Sequence, residues 1–173
     1  MSQPTERIPL STLKQYMERD WEDRPLIDFK AQASLLTGTI TEQLESELFL
    51  LALEADTVAA RFFETVTIAR AEMPKDKQTY LGCRVRVKNN SLEIAWHRNS
   101  IIPAEKSKGK GRVYSRYIRK GYGDSYEMDS FKREPQWVQD VVAEAEITFG
   151  KLRKRAKLVS KIRGALTEYQ QLA

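Results

Sequence analysis

The chain has one cysteine, Cys83, and one histidine, His97, in 173 residues. A single thiol excludes any internal disulfide. A zinc site takes three or four ligands, mostly Cys and His, and this pair cannot supply them. A metal held by carboxylates alone has nothing in its favour. A Ser-His-Asp site would have to use His97, and no GxSxG accompanies it. No GxxxxGK(S/T) phosphate loop and no GxGxxG dinucleotide fingerprint is present. No run approaches the roughly 18 to 20 apolar residues that span a bilayer. The opening segment MSQPTERIPLSTLKQ lacks the basic start and continuous apolar stretch of a secretory signal. These absences lead to the expectation of a cytoplasmic protein with no membrane association. It is expected not to be an enzyme, with no catalytic residue, no cofactor and no metal.

What is present is positive charge in one place. Residues 84–133 hold 13 Lys and Arg against 5 Asp and Glu, a net of +8. Residues 1–83 hold 9 against 14, and residues 134–173 hold 7 against 5. The formal +5 of the whole chain therefore hides a concentrated basic zone. That zone also carries Trp96, Tyr114, Tyr117, Tyr122, Tyr126 and Phe131. Basic and planar side chains interleaved suit a nucleic-acid surface: charge for phosphate, rings for sugar and base faces.

The length fits one ordinary domain, or a small domain with helical extensions. In residues 10–37, Leu10, Leu13, Met17 and Trp21 recur at helical spacing before Pro25 interrupts. Asp28 is placed to cap a short helix that Gly38 should end. Thr39-Ile40-Thr41-Glu42 reads as a capping box. The helix it starts carries a stripe through Ile40, Leu44, Leu48, Leu51, Ala55, Val58, Phe62, Val66 and Ala69. Pro74 stops it. The period then changes to two. Leu81, Cys83, Val85 and Val87 alternate with Gly82, Arg84, Arg86 and Lys88. Asn89-Asn90 tolerates positive φ, and Leu92, Ile94 and Trp96 resume the alternation. This predicts a β-hairpin with one apolar face and a basic row on the other. PAEKSKGKGR at 103–112 is a Lys/Gly-rich loop expected to be mobile without a partner, and RVYSRYIR at 112–119 is a candidate third strand. From Pro135 a second long helix carries a seam through Val138, Ala145, Leu152, Val159 and Leu166, with Gly150 and Gly164 as weak points. Lys151, Arg153, Lys154, Arg155 and Lys157 cluster on it, as a second phosphate contact or a solvated face.

The expected architecture is α+β: two long amphipathic helices flanking a small antiparallel sheet of two or three strands. Residues 1–38 form an N-terminal helical segment. Residues 39–173 form a single helix–β-hairpin–helix domain with the basic sheet and loop at 79–133. The helices are mostly scaffold, pairing within one chain or between chains to make a homo-oligomer. The candidate DNA-binding residues are Arg84, Arg86, Lys88, Arg98, Lys106, Lys108, Lys110, Arg112, Tyr114, Arg116, Arg119 and Lys120. The bland alternative for the hairpin row is the solvated side of a half-buried sheet. Three consecutive basic elements weigh against it. Cys83 reads as a small core residue, and His97 as packing or hydrogen-bonding on the hairpin. Of the tyrosines, at least two are expected in core or rim packing, and none as a nucleophile.

The stretch Leu92-Glu93-Ile94-Ala95-Trp96-His97-Arg98-Asn99 resembles the MobI-type mobilisation proteins of conjugative plasmids and integrative conjugative elements. So do Tyr117-Ile118-Arg119-Lys120-Gly121, Tyr126, and Trp137 opening a helix with Glu144, Phe149 and Arg153. The similarity covers about residues 79–170. It implies a cytoplasmic auxiliary protein at the origin of transfer, a DNA-binding partner that assists a relaxase. The other readings are a protein-interaction adaptor whose basic zone docks an acidic partner, and a transcriptional regulator. The last is disfavoured because no helix-turn-helix pattern stands out.

Overall fold

The computed structural model of the chain describes residues 6–102 and 112–173. Its architecture is α+β. Helix α1 spans Leu10–Met17, α2 Phe29–Glu72 and α3 Gln136–Leu172; strands β1 (Leu81–Lys88), β2 (Ser91–Ile102) and β3 (Arg112–Tyr117) lie between α2 and α3. The strands form one antiparallel sheet in the order β1-β2-β3.

Helix α2 begins where the sequence places a cap: Ala31 N–H donates to Asp28 Oδ1 at 2.9 Å. It then runs on through Gly38 and Thr39, where the sequence predicts an end and a new start. The Thr39 hydroxyl donates to the Leu35 carbonyl inside the helix instead of capping anything. The reason is the stripe. Ala33 and Thr37 are buried about three and two turns before Leu44, so burial continues across the glycine. Gly38 itself is exposed with open space where a Cβ would be. A helical glycine costs about 1 kcal/mol, too little to break a helix tied down on both sides. The 44 residues of α2 span about 66 Å. Helix α1 is short and buries none of its residues, so its apolar repeat marks no core face.

The chain divides into two compact units. In one, residues up to Ser46 associate with Ser160–Ala173. There the Ile8 N–H donates to Gln32 Oε1 at 2.8 Å, tying the segment before α1 to the start of α2. The other unit is Glu47–Val159 and contains the sheet. Its core is aromatic. Trp96 on β2 is fully buried, with Phe62 of α2, Phe131 and Phe149 of α3 packed edge-on at 4.8, 5.8 and 5.8 Å between ring centroids. Asn89 and Asn90 take positive φ (50° and 56°), the twist a two-residue hairpin requires. Cys83, Ile94 and Leu92 join Trp96 on the inner face, as the alternation predicts.

Two features of α3 correct the sequence reading. Gly150 is a close approach, not a weak point: a Cβ there would lie 2.1 Å from Ser125 Oγ. The basic cluster is largely committed to structure. Arg155 pairs with Glu47 (2.8 Å) and Glu54 (3.2 Å) of α2, and Lys157 pairs with Asp124. Arg153 is buried. Its guanidinium forms a two-pronged pair with Glu146 (both contacts 3.0 Å) and donates to the carbonyls of Ile94 (3.2 Å) and Asp124 (2.9 Å). Glu146 also accepts from Trp96 Nε1 (2.7 Å) and from the Tyr126 N–H (2.8 Å). A second polar knot joins Arg98 to Glu134 (2.8 Å), which accepts from the Thr79 hydroxyl at 2.6 Å.

Removing one partner of a buried pair leaves an uncompensated charge, a loss of about 3–5 kcal/mol. Glu146→Ala should therefore lower the urea midpoint steeply. The joint replacement Glu146→Leu/Arg153→Met should recover only part of the loss, because the Trp96 and Tyr126 N–H groups keep no acceptor.

Candidate nucleic-acid interface

The pleat decides which basic side chains share a surface. Side chains of directly paired residues in neighbouring strands lie on the same face. Arg84 is paired with Ala95, Arg86 with Glu93 and Lys88 with Ser91, opposite in pleat to Cys83–Trp96 and Val85–Ile94. The row therefore faces away from the core, and all three residues are exposed. Both long helices reach the inner face through Phe62 and Phe149, which leaves this outer face uncovered among the described residues.

Strand β3 extends the platform. Tyr117 is paired with His97, and His97 with Gly82, so all three share the outer face. Arg84 donates through Nη1 to the Tyr117 hydroxyl oxygen, and its guanidinium carbon lies 5.7 Å from the ring centroid. His97 meets the same ring edge-on at 5.9 Å. The imidazole lies over Gly82, where a Cβ would come within 2.6 Å of Nε2. Glycine at 82 is what lets the ring lie down. Burial, then the Arg84 charge, hold His97 below its ordinary 6.5. Arg86 is bound to Glu93 at 2.5 Å, and that hydrogen bond raises the already high pKa of the guanidinium. Lys88 makes no ion pair among the described residues. A groove of about 420 Å³ opens along the part of β2 that β3 leaves uncovered, lined by Arg86, Glu93, Ile94, Tyr117 and Lys120.

The remaining candidates are not on this surface. Arg98 is paired with Leu81, on the inner side, and its guanidinium is taken up by Glu134 and by the Ser130 carbonyl (2.9 Å). Arg116 and Tyr114 follow the Arg98 side through their pairing with Arg98 and Ser100, and Arg112 is paired with Ile102. All three are exposed on the edge strand. Arg119 is exposed just beyond it. The Lys120 ammonium donates to the carbonyls of Gly121 and Gly123, and burial, Lys157 and Arg153 lower its pKa. Lys106, Lys108 and Lys110 lie outside the described residues. Tyr126 is a core residue, with its ring 5.0 Å from the Arg153 guanidinium and its hydroxyl pKa raised by burial. Tyr122 is wholly exposed.

Sequence reasoning missed Tyr117 and His97 as platform residues. The alternation of β3 puts Tyr117 on one side with Val113 and Ser115. Only the pairing with β2 says which side. Among the described residues no group of three or more His, Cys, Asp and Glu could hold a metal ion, and no helix is long and apolar enough to cross a membrane.

The model of one protein family, described as "MobI protein", matches residues 51–167. The matched segment contains the sheet, the outer platform and the Glu146–Arg153 pair. No curated protein and no solved structure matches the chain.

Because His97 is held below 6.5 in the fold, acidification protonates the unfolded chain first. Stability is therefore lost as the pH falls through about 6.5 towards the lower folded midpoint, and above that window the group makes no difference. Arg84→Ala removes a neighbouring charge and should raise the His97 midpoint. An NMR titration of the single histidine reads it directly, and should show a wild-type midpoint below 6.5.

Proposed function

The chain belongs to the MobI family, and from that premise we propose that this mobilisation-related protein is a DNA-binding auxiliary of conjugative transfer. It works in the cytoplasm beside a relaxase at the origin of transfer, by binding and not by catalysis. The observation that carries the reading is the uncovered outer sheet face, where Arg84, Arg86 and Lys88 stand in one row beside the exposed ring of Tyr117. Cations spaced two residues apart along a strand lie about 7 Å apart, close to the spacing of successive phosphates on a nucleic-acid strand. Tyr117 offers a ring face next to that row, held in place by Arg84. Arg112 and Arg116 on the other pleat of the edge strand, and Arg119 just beyond it, add a contact around the sheet's edge.

The roles divide by chemistry. Arg84, Lys88 and the edge arginines position the protein on phosphates and carry no sequence information. Arg86 is available only if phosphate displaces Glu93, an exchange of one exposed ion pair for another at little cost. Tyr117 and His97 offer contact to sugars or bases.

Binding to an origin-of-transfer duplex should weaken steeply with salt, with log K falling by about 0.9 per phosphate neutralised for each decade of salt. The triple variant Arg84→Glu/Arg86→Glu/Lys88→Glu should weaken binding to all sequences alike and flatten that slope by about 2 to 3. A flat salt response in the wild type, or normal binding by the triple variant, would reject the platform. An acidic protein partner in place of DNA would show as retained pull-down with no electrophoretic shift.

A further inference from the structure

At the end of β1 away from the hairpin tip, the outer face meets a second basic concavity. The Asn99 N–H donates to the Tyr80 carbonyl at 2.9 Å. That bond extends the β1–β2 pairing one step beyond Leu81–Arg98. Tyr80 and Asn99 therefore share the pleat of Gly82, His97 and Arg84. A cleft of about 490 Å³ opens beside them, lined also by Lys77, Arg98, Arg133 and Glu134. Two hydrogen bonds tie its walls together across the chain. Trp137 Nε1 donates to the Lys77 carbonyl at 3.1 Å, and the Thr79 hydroxyl donates to Glu134 at 2.6 Å. The charges in the cleft do not cancel. Glu134 is the one carboxylate among its lining residues, and Arg98 and Thr79 already engage it. Lys77 and Arg133 are exposed, and neither makes an ion pair among the described residues. Cations converging on a concave surface focus their field more than the same charges spread on a convex one.

We infer that this cleft is a second phosphate site for DNA, in which Lys77 and Arg133 continue the row of Arg84, Arg86 and Lys88; the site rests on the DNA-binding reading of the platform. Two observations join the cleft to the row. Tyr80 stands between them on the same pleat, 55% exposed, with a ring and a hydroxyl to offer a sugar or phosphate. Between Tyr80 and Arg84 the strand carries only Gly82, over which the His97 ring lies flat, so no tall side chain rises from β1 to block a passing backbone. From Lys88 to Tyr80 the strand rises by roughly 26 Å, enough for about four phosphate steps at the 7 Å spacing. A chain of linked phosphates uses both ends of such a track at once. A single small anion uses only one.

The double variant Lys77→Ala/Arg133→Ala should still bind an origin-of-transfer duplex. Its plot of log K against log salt should be flatter than the wild-type plot by about 1.8, the share of two phosphates. Tethered cleavage reads position. Cys83 is buried with its thiol pushed up to about 12, so a cysteine introduced at an exposed position takes an iron chelate selectively. Arg133→Cys and Lys88→Cys, each carrying the chelate, should cut the duplex at places about 8 base pairs apart, the track length divided by the rise of 3.4 Å per base pair. Circular-dichroism melts check that the variants fold. A wild type with a flat salt response rejects the platform itself. A steep wild-type response that the Lys77/Arg133 variant leaves unchanged overturns the second site alone. So does a chelate at position 133 that cuts nothing, or that cuts where the one at position 88 does.

Discussion

The unit that holds the sheet depends on one buried ion pair. Glu146 and Arg153 stand two turns apart on α3, and between them they reach β2 and the segment that follows β3. Glu146 takes the Trp96 indole and the Tyr126 amide; Arg153 takes the carbonyls of Ile94 and Asp124. Strand β2, the segment after β3 and helix α3 are thus locked in register by two side chains. Such a pair gains little net stability over apolar residues, because removing both charges from water costs about as much as their attraction returns. Its effect is on geometry. Trp96 can sit in only one way when its N–H has one acceptor, and the phenylalanines around it inherit that position. Cys83 shares this neighbourhood, and burial pushes its thiol up to about 12. It stays protonated and behaves as a small apolar residue.

A locked inner face leaves the outer face uncovered among the described residues. Its organisation rests on Gly82. Any side chain there would lift His97 off the sheet, and with it the edge contact that steadies Tyr117. Arg84 completes the arrangement by holding the Tyr117 hydroxyl. A cation and a ring are therefore held next to each other before any ligand arrives, which reduces the entropy lost on binding.

Much of the fold was legible because period is a strong signal. The alternation from Leu81 to Trp96, broken by two asparagines, specifies a hairpin and its inner face. The places where reading failed are those where a local signal competed with a distant one. Gly38 and the Thr39–Glu42 box are good local punctuation. The burial of Ala33 and Thr37 overrode them, and that burial depends on partners far along the chain. Arg153 looked like one more member of a basic cluster. The available signal was its place at Phe149 plus four, with Glu146 at Val142 plus four, two opposite charges on the apolar seam. Arg98 was legible too: it continues Leu92, Ile94, Trp96 on the inner face. Tyr117 was not, because strand alternation gives two faces and only cross-strand pairing chooses between them.

The count of charges in residues 84–133 overstates the charge available to a ligand. Arg98 belongs to Glu134, Lys120 to the carbonyls of its own turn, and Arg86 is shared with Glu93. Arg84 keeps its charge but is fixed in direction by Tyr117. Among the described residues of that zone, Lys88, Arg112, Arg116, Arg119 and Arg133 are left exposed with no ion pair. Lys88 lies at the tip of the hairpin on the face of the fixed pair Arg84–Tyr117, while Arg112 and Arg116 lie on the other pleat of the edge strand. A composition bias of +8 is thus divided among structural, fixed and unpaired members, and only part of it stands on the outer face of the sheet.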